Sequence, residues 1–114
     1  MKDAIYIKST DLGILGTRLG LELKEEKHFE IASQFIKCST AVGANVHEAK
    51  SAESRKDFIH KMKIAHKELI EVRYWVKIII GGCGKSIPAD LESTLQDCER
   101  LLYRIIATTI KNTP

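Results

Sequence analysis

The chain has 114 residues, with 18 Lys and Arg against 15 Asp and Glu, a net charge of +3, three cysteines and two prolines. That length fits one domain, able to bury roughly two thirds of the surface its unfolded chain exposes without a covalent staple. The mild charge excludes an argument for nucleic-acid binding from charge alone, the scattered Cys38, Cys83 and Cys98 exclude a disulfide framework or a C-x-x-C zinc knuckle, and no apolar run approaches the roughly 18 residues of a membrane span.

With Pro88 and Pro114 as the only prolines, nearly the whole chain is free to be helical, and its apolar spacing predicts four helices in one domain, 1–114. The first covers about Asp3 to Glu25, with Ile5, Leu12, Leu15 and Leu19 at helical spacing. Its Gly13, Gly16 and Gly20 each cost about 1 kcal/mol relative to Ala. The second covers about Phe29 to Ala52, with the stripe Ala32, Phe35, Ser39, Val42, Val46 and Ala49. The third covers about Ser54 to Ile80 on Phe58, Met62, Ala65, Leu69, Val72, Val76 and Ile79. Gly81 and Gly82 are expected to cap it, and Ser86 or Ile87 to open the fourth helix, which covers about Pro88 to Lys111 on Leu91, Leu95, Cys98, Leu102, Ile105 and Thr109. Four comparable helices with short links predict an all-α, antiparallel up-down-up-down four-helix bundle. The opening MKDAIYIKSTDLG has acidic groups where a signal peptide would be apolar, so a soluble cytoplasmic protein is expected.

Three short motifs mislead. GGCGKS (81–86) ends like a phosphate-binding loop, but it lacks the glycine five positions before Gly84 and follows a helix rather than a strand. HEAKS (47–51) begins like a zinc-protease motif but has Lys50 and Ser51 where the second histidine is needed. The E-x-x-H from Glu25 to His28 has no second copy and lies at a helix end, unlike a di-iron bundle. Arg55 and His60 form the Arg-x4-His pattern of small helical ribonucleases, in which His would act as general base and Arg would stabilise the phosphorane. That spacing also arises on any solvated basic helix.

The helix faces say more. Helix 3 carries a second seam, Ile64, Glu68, Glu71, Trp75 and Ile78, and helix 2 carries Cys38, Ala41, Asn45, Glu48 and Ala52. An antiparallel pairing predicts the Asn45 amide opposite Glu68, satisfying a carboxylate that burial would strip of water, while Ala41, Gly43 and Ala44 thin helix 2 for a neighbour. A divalent-metal reading of Glu48, Glu68 and Glu71 lacks a histidine on the shared face, so no metal or cofactor is expected. On the far side of helix 3, Lys56, His60, Lys63 and Lys67 make one basic line suited to phosphates, or to plain solvation. Ile70, Tyr74, Trp75, Ile78, Ile79 and Ile80 leave that helix almost no polar side at its end, which predicts self-association.

The stretch CSTAVGANVHEAKSAESRKDFIHKMKIAHKELIEVRYW resembles the four helix bundle proteins, also called 23S ribosomal RNA intervening-sequence proteins, above all in VGANVHEA, DFIHKM and AHKELIEVRYW and more weakly in LQDCERLLYRII. The family motif falls on Gly43, Ala44, Asn45, Glu48, Ala49, Asp57, Phe58, Glu68, Glu71, Tyr74 and Trp75. The resemblance implies a bundle that forms a ring-shaped homopentamer and has no established enzymatic activity. It also implies kinship with accessory proteins of diversity-generating retroelements, which associate with a reverse transcriptase and with nucleic acid. LGILGTRLG departs from the more charged first helix of that family. The residues and the resemblance together lead to a non-catalytic oligomeric module on RNA or a ribonucleoprotein, the binding half being what the resemblance implies, with a purely structural oligomer and a metal-independent ribonuclease using Arg55 and His60 as rivals.

Overall fold

In a computed structural model, which describes residues 2–112 with the side chain of Lys2 left aside, the elements are α1 (Lys2–Glu25), α2 (Phe29–Ala49), α3 (Arg55–Cys83) and α4 (Ala89–Lys111). α1 packs on α2 and α4, α3 packs on the same two, and the backbones of the diagonal pairs stay apart. The result is an elongated body of 50 × 21 × 19 Å, most of whose length is spanned by the 29 residues of α3. Its interior is the set of stripes read from the sequence: Ile5, Leu12 and Leu19 join Phe35, Val42, Met62, Leu69, Val76, Leu91, Leu95 and Leu102, all but sealed from solvent. Phe58, Leu15 and Ile105 are half-buried at its margin.

The helix ends differ from expectation in three places. α2 stops at Ala49 rather than Ala52, because the N–H groups of Lys50, Ser51 and Ala52 turn back to the carbonyls of His47, Glu48 and Ala49 in i→i+3 bonds that tighten the last turn. α3 runs through Gly81 and Gly82, and the left-handed cap is Gly84 (φ 65°), after which the Lys85 N–H closes on the Ile79 carbonyl at 3.4 Å. α4 is opened by Pro88, not by Ser86 or Ile87; the Asp90 carboxylate accepts the Leu91 N–H at 2.8 Å and supplies the oxygen a serine cap would have given. Ser54, expected as the first residue of the third helix, is instead its N-cap, accepting the Asp57 N–H at 3.0 Å, while Asp57 accepts the N–H of Glu53 at 3.2 Å.

The glycine in the middle of α2, Gly43, serves α1. Gly43 lies against the Ser9 backbone, where an added Cβ would sit 3.1 Å from the Ser9 carbonyl oxygen. Gly16 and Gly20 return the favour, pressed on Ser39 and Ile36. This close seam explains why a glycine-rich first helix is stable, and why serines sit at its centre. Buried Ser9 and Ser39 donate to the carbonyls of Tyr6 (3.3 Å) and Phe35 (2.6 Å) on their own helices, so neither leaves a donor unsatisfied. Across the seam the contacts run in reverse order, Ser9 with Gly43, Gly13 with Thr40 and Gly20 with Ile36.

Candidate nucleic-acid interface

Lys56, His60, Lys63 and Lys67 all stand exposed along the outer side of α3, with exposed Tyr74 two turns further on and packed edge to face on Trp75 at 5.4 Å. Their setting differs from that of the cations that brace the bundle. Lys8 reaches Asp97 at 2.9 Å, Lys61 reaches Glu48 at 2.8 Å, and Lys85 reaches Glu26 at 2.9 Å. Arg73 grips Glu92 at 2.8 Å and Glu99 at 2.7 Å. Among the described residues Lys56, Lys63 and Lys67 enter no ion pair.

The seam between α2 and α3 is arranged otherwise than the sequence suggests. Asn45 gives its amide to the Ala41 carbonyl of its own helix at 2.9 Å rather than to Glu68. A short side chain on a helix surface finds the carbonyl one turn back before it finds a partner helix. Glu48 is exposed and taken by Lys61. Glu68, half-buried, has its pKa raised by burial first and then by the neighbouring Glu71 carboxylate; Lys37 and Lys67 oppose the shift. Burial, reinforced by Glu71 and Glu68, pushes the Cys38 thiol up to about 12, which leaves it an inert core residue. No group of three or more His, Cys, Asp or Glu is placed to hold a metal ion among the described residues.

Other motif residues have structural tasks: Gly43 admits α1, Asp57 completes the α3 cap, and Phe58 and Trp75 pack on the core margin, whereas Ala44 lies exposed beside a shallow cleft between α1 and α2. Arg55 donates to the Asn112 carbonyl at 2.6 Å. Five positions apart on one helix, Arg55 and His60 point about 140° away from each other, so α3 alone does not converge them on one phosphate.

One feature escaped sequence reading. A cleft of about 540 Å³ runs between α3 and α4, lined by Lys63, His66, Lys67, Ile70, Tyr103, Ile106, Ala107 and Ile110. The apolar surplus of α3 was legible, but Ile78 and Trp75 prove half-buried and Ile79 fully buried, while exposed apolar side chains also occur on α4 and, as Ile7, Ile14 and Leu21, on α1. Their spacing of seven was the available signal.

Comparison with known proteins follows the same lines. A solved structure, a protein of unknown function from the S23 ribosomal protein family of Bacteroides thetaiotaomicron VPI-5482, is 32% identical, with 94% of this chain and 99% of that chain covered and a TM-score of 0.85. No functionally curated protein matches. The 23S rRNA-intervening sequence protein family matches residues 2–107, nearly the whole four-helix body. The chain belongs to the 23S rRNA-intervening sequence protein family.

Proposed function

We propose that the protein is a non-catalytic, self-associating bundle that holds RNA by its phosphate backbone along Lys56, His60, Lys63 and Lys67. The observation that carries the reading is the division among cations: those between helices are neutralised by carboxylates, while the lysines of the α3 line are left to solvent. A free line of ammonium groups meets phosphates without first breaking an ion pair. The reversed order of contacts across the seams supports an up-down-up-down antiparallel bundle. By the resemblance noted above, copies would form a ring, a pentamer, in which several short lines act together, with a place beside a nucleic-acid enzyme such as the reverse transcriptase of a retroelement. No helix among the described residues is long and apolar enough to cross a membrane, which accords with work in the cytoplasm.

The test is a titration of fluorescent single-stranded RNA and DNA at two salt concentrations, wild type against Lys56→Glu/Lys67→Glu at equal oligomeric state. Wild-type affinity falls steeply with salt, and the variant loses affinity and about one unit of salt slope for each phosphate contact removed. Equal retention by both proteins would take the line out of the mechanism. In the same samples labelled RNA stays intact without added metal; cleavage that His60→Ala abolishes would establish a ribonuclease instead.

A further inference from the structure

We propose that copies of this chain associate head to tail, the outer face of α1 in one copy seating on the cleft between α3 and α4 of the next. The inference rests on the self-association in the reading above and supplies its surfaces.

α1 presents Ile7, Ile14 and Leu21 to solvent, 61%, 46% and 53% exposed. Seven residues advance an α-helix by nearly two full turns, so the three form one ridge that drifts only about 20° per step, as a coiled-coil seam does. The α3–α4 cleft offers the matching concavity, with half-buried Ile106 between Ile70, Tyr103 and Ile110, the first two 60% and 69% exposed. Charge complements shape. Lys63 and Lys67 line the cleft as unpaired cations, while Asp3 and Asp11 flank Ile7 one turn to either side, exposed and in no ion pair among the described residues.

Two further facts fix the kind of assembly. α1 and α3 stand at diagonal corners of the bundle, so ridge and cleft lie on different sides, and a copy that uses one keeps the other open for a third copy. The interface is therefore heterologous, and it closes as a ring or grows as a filament. Height decides for the ring. Gly13 lies against Thr40, and Lys61 reaches Glu48, from which nine residues on along α3 and nine back along α2 bring Ile70 level with Ser39, so Ile14 and Ile70 stand at about the same level along the bundle. Ridge and cleft can then meet by rotation without axial shift.

Light scattering and native mass measurement on full-length protein test this with Ile14→Glu, which disables the ridge, and Tyr103→Glu, which disables the cleft. Both sites are exposed, and unchanged helical circular dichroism confirms the fold. Each variant alone is expected at the 12.8 kDa monomer mass. Mixed one to one, they are expected to give a dimer and nothing larger, because each retains the face the other lacks. A mixture that stays monomeric at hundreds of micromolar, or either variant keeping wild-type size, overturns the surfaces while leaving self-association in place; a monomeric wild type overturns both. Asp11→Lys and Lys67→Glu, level with each other in this register, supply an independent readout: each alone lowers the mass, and the two combined in one chain restore it. Failure of that restoration counts against the pairing.

Discussion

Gly16 and Gly81 are both glycines inside helices, and replacing each by alanine is expected to move stability in opposite directions. Alanine gains about 1 kcal/mol over glycine in a helix interior. At Gly81 the new methyl meets nothing within 4 Å, so that gain stands, reduced toward about 0.5 kcal/mol by nearness to the helix end. At Gly16 the methyl would lie 2.6 Å from the Cβ of Ser39 and closer still to its hydroxyl. Ser39 is fully buried, and its hydroxyl is tied to the Phe35 carbonyl at 2.6 Å, so no rotamer change clears the space. The helices must part by about 1 Å to restore an ordinary carbon contact, which loosens the seam at Ser9 and Gly43 too. Overpacking of this kind costs about 1–3 kcal/mol, and set against the propensity gain of about 1 kcal/mol the expected net loss is up to about 2 kcal/mol. Urea unfolding followed by Trp75 fluorescence, at one fixed protein concentration so that any association weighs equally on all variants, measures both variants. Gly16→Ala stabilising the protein as Gly81→Ala does would refute the close seam. Gly16→Ala/Ser39→Gly, which moves the bulk across the seam, is expected to recover part of the loss.

Asn45→Ala is expected to change stability by less than about 1 kcal/mol, since the amide serves only its own helix; a loss of about 3 kcal/mol would place it on a buried carboxylate after all. Lys27 holds the α1–α2 turn at φ 69°, so Lys27→Gly is expected to raise the melting temperature, the left-handed penalty of about 1 kcal/mol being removed; an unchanged or lower value would show that the turn does not need that conformation. Arg73→Met is expected to destabilise by about 1–2 kcal/mol, allowing for partial solvent screening, because it leaves Glu92 and Glu99 without their shared donor. Its hydrogen bond holds the Glu92 pKa below the ordinary 4.5, so this contribution is complete above that value and vanishes as pH falls through the lower folded value. Wild type and variant should therefore converge in acid, and a gap that stays constant from neutral pH to about pH 2 would refute the assignment.

The four helices and most of the core were legible because a period of 3.6 leaves its imprint on apolar residues whatever their partner. Partners leave a fainter one. Gly43 announced a close approach in its spacing but not by which helix, since a glycine records only that something is near. Asn45 and the Glu68–Glu71 pair shared a seam on paper, yet a local carbonyl and a neighbouring carboxylate one turn away won over the partner helix. Helix ends were missed where backbone alone decides them, at the tightened turn after Ala49 and at Gly84. For the α3 line, exposure was readable from its place opposite the core stripe; its lack of counterions was not, because ion pairing depends on which helix lies alongside.

Lys67 belongs to both proposals, and that overlap has a physical consequence. It stands on the α3 line and also lines the cleft, level with Asp11 of the next copy. A lysine already paired with a carboxylate has released its counterions and offers little more to a phosphate, so assembly would take Lys67, and with it Lys63 of the same cleft, from the RNA surface while gathering Lys56 of several copies onto one edge. Ring formation would then strengthen RNA binding through number of copies and weaken it per copy. By linkage, RNA that takes Lys67 for itself would loosen the ring by the same free energy. Asp11→Asn separates the two effects: it weakens the interface, yet it frees Lys67, so at protein concentrations high enough to keep the ring intact the salt slope of RNA binding per copy should become steeper than that of wild type. A slope that does not change there would mean that Lys67 faces the RNA alone and that Asp11 is not its partner.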